Sequence, residues 1–585
     1  MGLKYIQRTK SKIKKDFVVG LLEDRQILRG RRENYRNYFS PTEDNLIPLS
    51  GMDNLSNAYQ MLLKHLERGS HFYIVVDSDV DGYTSSALFY LYLQKIKDKF
   101  PNITVDYHIP LGKEHGLQTL MLDLAERKKY DIIVCPDSSS NDYKEHKTLK
   151  ELGYDILVLD HHDAEAYSSD AVVVNNQLSL EYPNKFLSGV GVVWKLLQYC
   201  DEKFGVDYSS EYIDLVALGE ISDMMDMNNL ENRYILTEGL NKIENKFFKA
   251  LIEKQSYSIG GKENLSQLDV AFYITPLINA LIRVGTQSEK ESLFLAFIDG
   301  DQIVQSTKRG EKGQQETLST QVARNCVNAR ARQNREKEKA IDLLSIQIEN
   351  DCLSNNKILI LNADELDISN NLTGLCAMGV SSKYKKPVIL GRVNSQGYLK
   401  GSMRGVNGSE LKDFKGFLVS SGLMEYVEGH AQAAGASLKA SDIDKLNAYA
   451  NEQLKDLNFN EGFYEVDFVV NSQDEALGDL VFEVSNHKSI FGQGNPEPVL
   501  LIDNLVINNS EVQVIGQNAN TLKFSCNGIT YIKFHAEELI KQFKNSPETL
   551  KISVIGRCNI NEWGGRQTPQ IFIEDIEIKD AMDNF

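Results

Sequence analysis

No Cys-x-x-Cys pair occurs among the seven cysteines, which stand apart at 135, 200, 326, 352, 376, 526 and 558. Their spacing and odd number argue against a disulfide framework and a structural zinc site, and fit a reducing cytoplasm. No run of about 18 apolar residues exists, so no membrane span is expected. The opening MGLKYIQRTKSKIKKDF is basic but lacks an apolar segment, and is not expected to act as a secretory signal. Positive charge is not in excess either: 64 Lys and Arg face 82 Asp and Glu, a net charge of −18. That disfavours a nonspecific polyanion binder. It leaves room for an acidic body with a local basic channel, and carboxylates also gather where divalent cations bind. Repeats and low-complexity tracts are absent. The 42% hydrophobic and 25% charged residues suit an ordinary globular protein of about three to five domains.

What is present falls into six stretches. Residues 1–48 form a charged lead-in. From 49 to 240, short apolar runs alternate with helical patterns: HFYIVV (71–76), DIIVC (131–135), YDILVL (154–159) and AVVV (171–174). Such alternation predicts a parallel, doubly wound α/β sheet, and the unbroken apolar runs predict strands covered on both faces. Residues 241–312 continue the mainly helical pattern that begins near 187. Residues 313–352 contain no proline and glycine only at the start, and predict one long helix, ~50 Å if most of it is helical. A second, smaller α/β unit follows over 353–458, with strands KILILN and KPVILGRV around a helix NNLTGLCAMGVSSKY, closing on GHAQAAGAS. From 459 to 585, seven alternating segments from FYEVDFVV to PQIFIEDIEI predict a small β-barrel.

The chemistry sits at predicted strand ends. HFYIVV runs into Asp77-Ser78-Asp79-Val80-Asp81-Gly82, DIIVC into Pro136-Asp137, and YDILVL into Asp160-His161-His162-Asp163. Ligands of open α/β sheets bind beyond the carboxyl ends of the strands, so three strands deliver acids and imidazoles to one rim. Clustered carboxylates repel unless a positive charge lies between them. A pair of Mn²⁺ or Mg²⁺ ions suits this mixed donor set, and two such ions can activate water and stabilise the leaving oxygen of a phosphodiester. The rival reading of Asp77-x-Asp79-x-Asp81-Gly82 as an EF-hand loop fails at its twelfth position, where Leu88 stands in place of glutamate. Asp137 alone would read as a turn or helix cap; the three segments together are far more specific.

VVDSDVDG, CPDSSS and LDHHD resemble the first three motifs of the DHH phosphoesterase superfamily, and ALGEISDMMDM (217–227) resembles the fourth. LSGVGVVWKLL, ENRYILTEGL and YITPLINALIRVG are similar to the core of its RecJ-type single-strand exonucleases. LTGLCA, KGSMRG and GHAQAAG are similar to the DHH-associated domain, and FGQGNPEP and NEWGGR to the terminal oligonucleotide-binding barrel. The resemblance implies a parallel-sheet DHH domain, a smaller α/β DHH-associated domain joined by the long helix, and a C-terminal OB-type β-barrel.

The resemblance also implies roles. Asp77, Asp79, Asp81, Asp137, His161 and Asp223 would be metal ligands, with Asp137 bridging two divalent cations. Asp81, His161 and Asp223 would complete one site, and Asp77 and Asp79 the other. His162 would contact the metal site or the scissile phosphate, and Asp160 would orient the imidazoles. Asn279 and Arg283 would hold phosphates, although the family's Asn-Ala-Ala-Gly-Arg is here Asn279-Ala280-Leu281-Ile282-Arg283. Ser402, Arg404 and His430 would clamp the terminal nucleotide. Lys113 and His115, in a loose match to a family loop, would touch DNA, and Arg332 and Arg335 are further strand contacts or a solvated helix face. The implied activity is 5′-to-3′ hydrolysis of single-stranded DNA to nucleoside 5′-monophosphates by a monomer, with a helicase or single-strand-binding protein as partner. One alternative is a DHH phosphoesterase for short oligonucleotides or small nucleotides, of nanoRNase or pAp-phosphatase type, but such enzymes mostly lack the barrel. The other is a degenerate replication scaffold, which would lack motif carboxylates that are all present here.

Overall fold

The computed structural model describes residues 3–9, 16–28, 32–112, 115–126, 130–259, 265–311, 313–406, 408–459, 462–516, 518–563 and 566–579. The β-branched and aromatic run at His71–Val75 forms strand β1, and the Asp-rich turn after it starts helix α1, Val80–Ile96. Asp79 caps that helix, its carboxylate accepting the Gly82 N–H at 2.9 Å. The chain continues through β2 (Thr104–His108), β3 (Ile132–Pro136), α2 (Tyr143–Glu151), β4 (Asp155–Asp160) and β5 (Val172–Asn175). All pairings are parallel, in the order β2-β1-β3-β4-β5. β2 was not among the expected strands. It is an edge strand, only partly covered, and TVDYH carries no apolar run.

Alternate residues of the central strands feed two cores. Ile132, Val134, Leu157 and Leu159 pack with Phe89, Leu93 and Trp194 on one face, while Ile133, Cys135, Ile156 and Val158 pack with Leu117 and Leu149 on the other. Each such fully buried Leu, Ile or Phe contributes roughly 1.5–3 kcal/mol. The chain leaves β1 for β2 on one side, while β3 lies on the other. The order therefore reverses between β1 and β3, which opens a crevice beyond the carboxyl ends of those two strands.

Helices α3 (Gly189–Phe204) and α4 (Ile213–Ser222) complete this core, and α5 (Thr275–Val284) follows a π-helical stretch, Val270–Ile274. The long helix α6 spans Leu318–Asn350, 33 residues or ~50 Å. It starts later than expected because Gln315–Thr317 pairs with Ile303–Gln305 in an antiparallel hairpin. Two compact units result: 35–335 with 489–495, and 1–34 with 336–488 and 496–585, the division falling inside α6.

In the second unit, β6 (Leu359–Asn362), helix α7 (Thr373–Tyr384), β7 (Val388–Val393), β8 (Tyr398–Arg404), β9 (Met424–His430) and β10 (Ala433–Lys439) form one α/β layer pair. The strand order is β9-β10-β8-β7-β6, with only β6 and β7 parallel. A seven-stranded mixed sheet follows: β11 (Phe468–Asn471), β12 (Val499–Asn508), β13 (Gln513–Ile515), β14 (Thr521–Cys526), β15 (Ile529–Lys533), β16 (Thr549–Trp563) and β17 (Arg566–Lys579). Its order is β11-β12-β16-β17-β15-β14-β13. FYEVDFVV, expected as one strand, divides. Phe463–Val466 pairs in parallel with Lys4–Gln7, and only Phe468–Asn471 joins the sheet. The lead-in is anchored further by the Val18 N–H donating to Glu483 Oε1 at 2.8 Å and by Arg25 paired with Asp467 at 3.0 Å. Among the described residues no helix is long and apolar enough to cross a membrane.

Candidate metal centre

Asp137 sits one residue past β3, at the reversal point of the sheet order. Its N–H donates to the Leu159 carbonyl at 2.7 Å, and its φ of 64° lies in the left-handed region. That region costs an ordinary side chain roughly 1–2 kcal/mol, although aspartate enters it more readily than most. Asp137 is 1% exposed, and neither of its carboxylate oxygens has a hydrogen-bond partner among the described residues. Gly189 permits the approach of α3, because a Cβ there would lie 2.3 Å from Asp137 Oδ1.

The other ligand candidates converge on Asp137. His161 Nε2 lies 3.3 Å from Asp137, 3.4 Å from Asp223 and 3.8 Å from Asp81. Three groups each offer ligand atoms within 4.8 Å of one another: Asp77, Asp79 and Asp137; Asp81, His161 and Asp223; and Asp137, His161 and His162. Asp81 is buried in the first turn of α1 and accepts the Gly189 and Val190 N–H groups at 2.7 and 3.1 Å and the Ser188 hydroxyl at 3.2 Å. The start of α3 thus cradles it, as a helix N-terminus suits an anion. Ser188 and Glu220 are supporting residues that the sequence reading missed. Buried Glu220 receives the Ser188 N–H and hydroxyl at 3.0 and 3.1 Å. The available signal was one glutamate inside the apolar helix LVALGEIS.

Asp160 does not face the cluster. Its oxygens accept the Ser140, His161 and His162 N–H groups, and Oδ1 lies 2.8 Å from His162 Nδ1. Burial alone would raise its pKa, but the bond from His162 and the imidazole charges hold it well below the carboxylate range. The same bond, against burial, lifts His162 to about 9. His115 Nδ1 lies 2.9 Å from both Asp77 oxygens, so the imidazole expected at the strand is engaged with a candidate ligand. Lys113 lies outside the described residues.

The electrostatics point to a missing positive charge. Burial, then the charges of Asp81, Asp79, Asp77 and Asp160, push Asp137 well above the carboxylate range. Burial and the Asp81 and Asp79 charges raise Asp223 to about 8. Burial lifts Asp77 to about 6, with His115 opposing and Asp79 adding to the rise. Burial lowers His161, favouring the neutral form that a ligand nitrogen needs. A buried orphan carboxylate, ringed by acids that cannot all ionise and by imidazoles, fits a hard or borderline divalent cation.

Arg283 is half-buried on α5, where the Asp79 carboxylate acts on it; Asn279 lies one turn earlier on the same face. In the second unit, Arg404 and His430 both pair with Ala433 across their strands, and Ser402 lies two residues from Arg404. These positions put all three side chains on one face of that sheet. A Cβ at Gly374, in the first turn of α7, would meet Arg404 Nη2 at 2.6 Å and Ser402 Oγ at 3.6 Å.

Known proteins are similar to this chain in sequence and fold. A model of the DHH family N-terminal domain matches residues 71–220, and a RecJ OB domain model matches residues 473–575. The SPbeta prophage-derived protein YorK of Bacillus subtilis strain 168, provisionally named a single-strand DNA-specific exonuclease, is 36% identical over 564 residues, 94% of this chain and 95% of YorK. The single-stranded-DNA-specific exonuclease RecJ of the same strain is 26% identical over 546 residues, 90% of this chain and 64% of RecJ. The fold matches a crystal structure of Thermus thermophilus RecJ in complex with Mn²⁺ at a TM-score of 0.69 and 20% identity, over 96% of this chain and 76% of that one. On the strength of the near-complete alignment with YorK and the two domain models, the chain belongs to the RecJ family of DHH proteins.

Proposed function

We propose that the chain is a metal-dependent exonuclease that degrades single-stranded DNA from 5′ to 3′ and releases nucleoside 5′-monophosphates. The observation that carries this reading is Asp137, a buried carboxylate with both oxygens unpartnered among the described residues, in a chain related over nearly its whole length to YorK and RecJ. The cofactors are two divalent cations, Mn²⁺ or Mg²⁺. Asp81, His161 and Asp223 would hold one, Asp77 and Asp79 the other, and Asp137 would serve both. Bound there, the pair supplies water activation and charge neutralisation at the phosphodiester oxygens.

The chain's own residues do the rest. Asp160 fixes His162 by Nδ1 and leaves the Nε2 edge of a half-exposed imidazole for a phosphate oxygen. The α3 N-terminus fixes Asp81, and Gly189 keeps the Asp137 carboxylate where both groups of ligands can share it. Arg283 and Asn279 hold backbone phosphate beside Asp79. Ser402, Arg404 and His430 contact the terminal nucleotide, and His115 the strand beside Asp77. A helicase or single-strand-binding protein is the partner such an activity calls for, and the enzyme works as a monomer.

The test is hydrolysis of a long single strand labelled at either end, with Mn²⁺ and with chelator. The expected result is early release of labelled mononucleotide from the 5′ end only, abolished by chelation. Turnover of dinucleotides or pAp without degradation of long strands would assign the chain to the small-substrate DHH enzymes. Strand binding without hydrolysis would make it a scaffold.

A further inference from the structure

Arg283 feels the charge of a second cation. The Arg330 guanidinium, on α6, acts on Arg283 in the sense opposite to Asp79. Burial lowers the Arg330 pKa, and no described carboxylate offsets that cost. Arg330 Nη1 instead donates to Gln333 Oε1 at 2.6 Å, one helical turn on. Gln333 is 1% exposed, and its Nε2 has no partner among the described residues. The amide has turned its only acceptor to the arginine, so what remains unused in the pair is hydrogen-bond donors alone. Arg332 is different. It is paired with Glu289 at 2.9 and 3.1 Å.

A half-buried guanidinium beside a buried amide donor that has no acceptor among the described residues is stabilised when an acceptor-rich anion meets the pair. Arginine forks and amide N–H groups match the oxygens of a phosphate diester. Asp79 acts on Arg283, but no carboxylate of the metal centre acts on Arg330, so the pair is not part of the centre. We infer that Arg330 and Gln333 form, next to Arg283, a phosphate-binding subsite that holds a backbone phosphate neighbouring the one being hydrolysed. The inference rests on the proposed polynucleotide substrate, since a substrate with a single phosphodiester has no second phosphate to offer. Arg330 and Gln333 are positioning residues. They select for length and do not touch the reacting atoms.

The experiment compares the full-length wild type with Arg330→Ala, Arg330→Lys and Gln333→Leu. Substrates are unphosphorylated d(TpT), trinucleotides and strands of about ten nucleotides, with Mn²⁺. Loss of a charged contact is expected to raise KM for the longer substrates about tenfold or more in Arg330→Ala. Its kcat stays within about twofold, d(TpT) turnover is unchanged, and the log–log salt slope of KM falls by about 0.7. Arg330→Lys restores the slope but only part of the KM, because a lysine keeps the charge and loses the fork. Replacing one linkage at a time by a neutral methylphosphonate locates the subsite. At one position the wild type falls to the Arg330→Ala value and the difference between the two disappears. Equal KM changes for d(TpT) and long strands, or an unchanged salt slope in Arg330→Ala, would overturn the subsite. Failure of the wild type to hydrolyse any strand would instead overturn the proposed function.

Discussion

The two ends of the catalytic sheet carry the same residue type and treat it in opposite ways. At the amino end, Asp155 receives Lys64 at 2.6 Å, Lys150 at 2.9 Å and His65 at 3.0 Å. Burial pushes its pKa up, but these bonds hold it well below the ordinary carboxylate range. At the carboxyl end, Asp137 has no lysine and accepts no hydrogen bond among the described residues, its nearest basic group being His161 Nε2 at 3.3 Å, which burial keeps neutral; Asp81, Asp137 and Asp223 are all driven upward, by burial first. An aspartate at the amino end is neutralised by the fold and staples it. Those at the carboxyl end need a charge that the polypeptide does not supply, which is the physical content of a metal centre. The fold thus gives up stability at one rim that it secures at the other.

Four substitutions or conditions sharpen this contrast, and the first could break it. Asp137→Ala should lower single-strand hydrolysis by about 10³-fold or more, since it removes the ligand shared by both groups. Its circular dichroism and chelated melting temperature should match or exceed the wild type's, because a repelling buried carboxylate is gone. Retained activity would erase the distinction between the two ends. Gly189→Ala should cost about 10–100-fold, as for other residues that support ligands, and should shift the Mn²⁺ activation midpoint upward. An unchanged midpoint would mean that α3 does not fix Asp137.

The third contrast is pH. Folded Asp77 and Asp223, raised to about 6 and about 8, keep protons that the unfolded chain releases near pH 4. The folded state then binds more protons, so stability falls as pH rises through that window. His115 and His162, both raised, act in the same sense, while His161, lowered by burial, opposes. Chelated protein should therefore melt lower at about pH 8 than at about pH 5, and Mn²⁺ should raise the melting temperature more at the higher pH. A metal effect independent of pH would contradict this. The smallest effect belongs to the amino end. Asp155→Asn should leave hydrolysis within about twofold and lower the melting temperature by roughly 2 °C, since its lysine partners are half exposed. A large loss of activity there would show that the two ends are coupled.

The contrast was half legible in the sequence. Apolar runs ending in Asp77, Asp137 and Asp160 mark the carboxyl rim without any tertiary information, because the strand period and the rule for parallel sheets fix where such residues go. The cradle around Asp81 was not legible: Gly189 and Val190 act through backbone N–H groups, which any residue but proline carries. β2 escaped because an edge strand needs no unbroken apolar run. The pairing of Lys4–Gln7 with Phe463–Val466 escaped because parallel contact between distant segments leaves no local pattern. GHAQAAGAS proved to span the turn between β9 and β10, where small residues allow close strand approach; a Cβ at Gly429, with φ of 128°, would lie 3.0 Å from the Ala433 carbonyl oxygen. Arg330 was passed over in favour of Arg332 because sequence separates two arginines on a charged helix no better than chance. Only the partners, Gln333 for one and Glu289 for the other, tell them apart.

The most direct measurement is an anomalous-scattering map from crystals of the full chain grown with Mn²⁺, collected at the manganese edge. Two peaks should lie at the rim between β1 and β3, one bounded by Asp81, His161 and Asp223, the other by Asp77 and Asp79, with Asp137 reaching both. An empty rim with Asp137 still buried and unpaired, or manganese bound only elsewhere, would contradict the account.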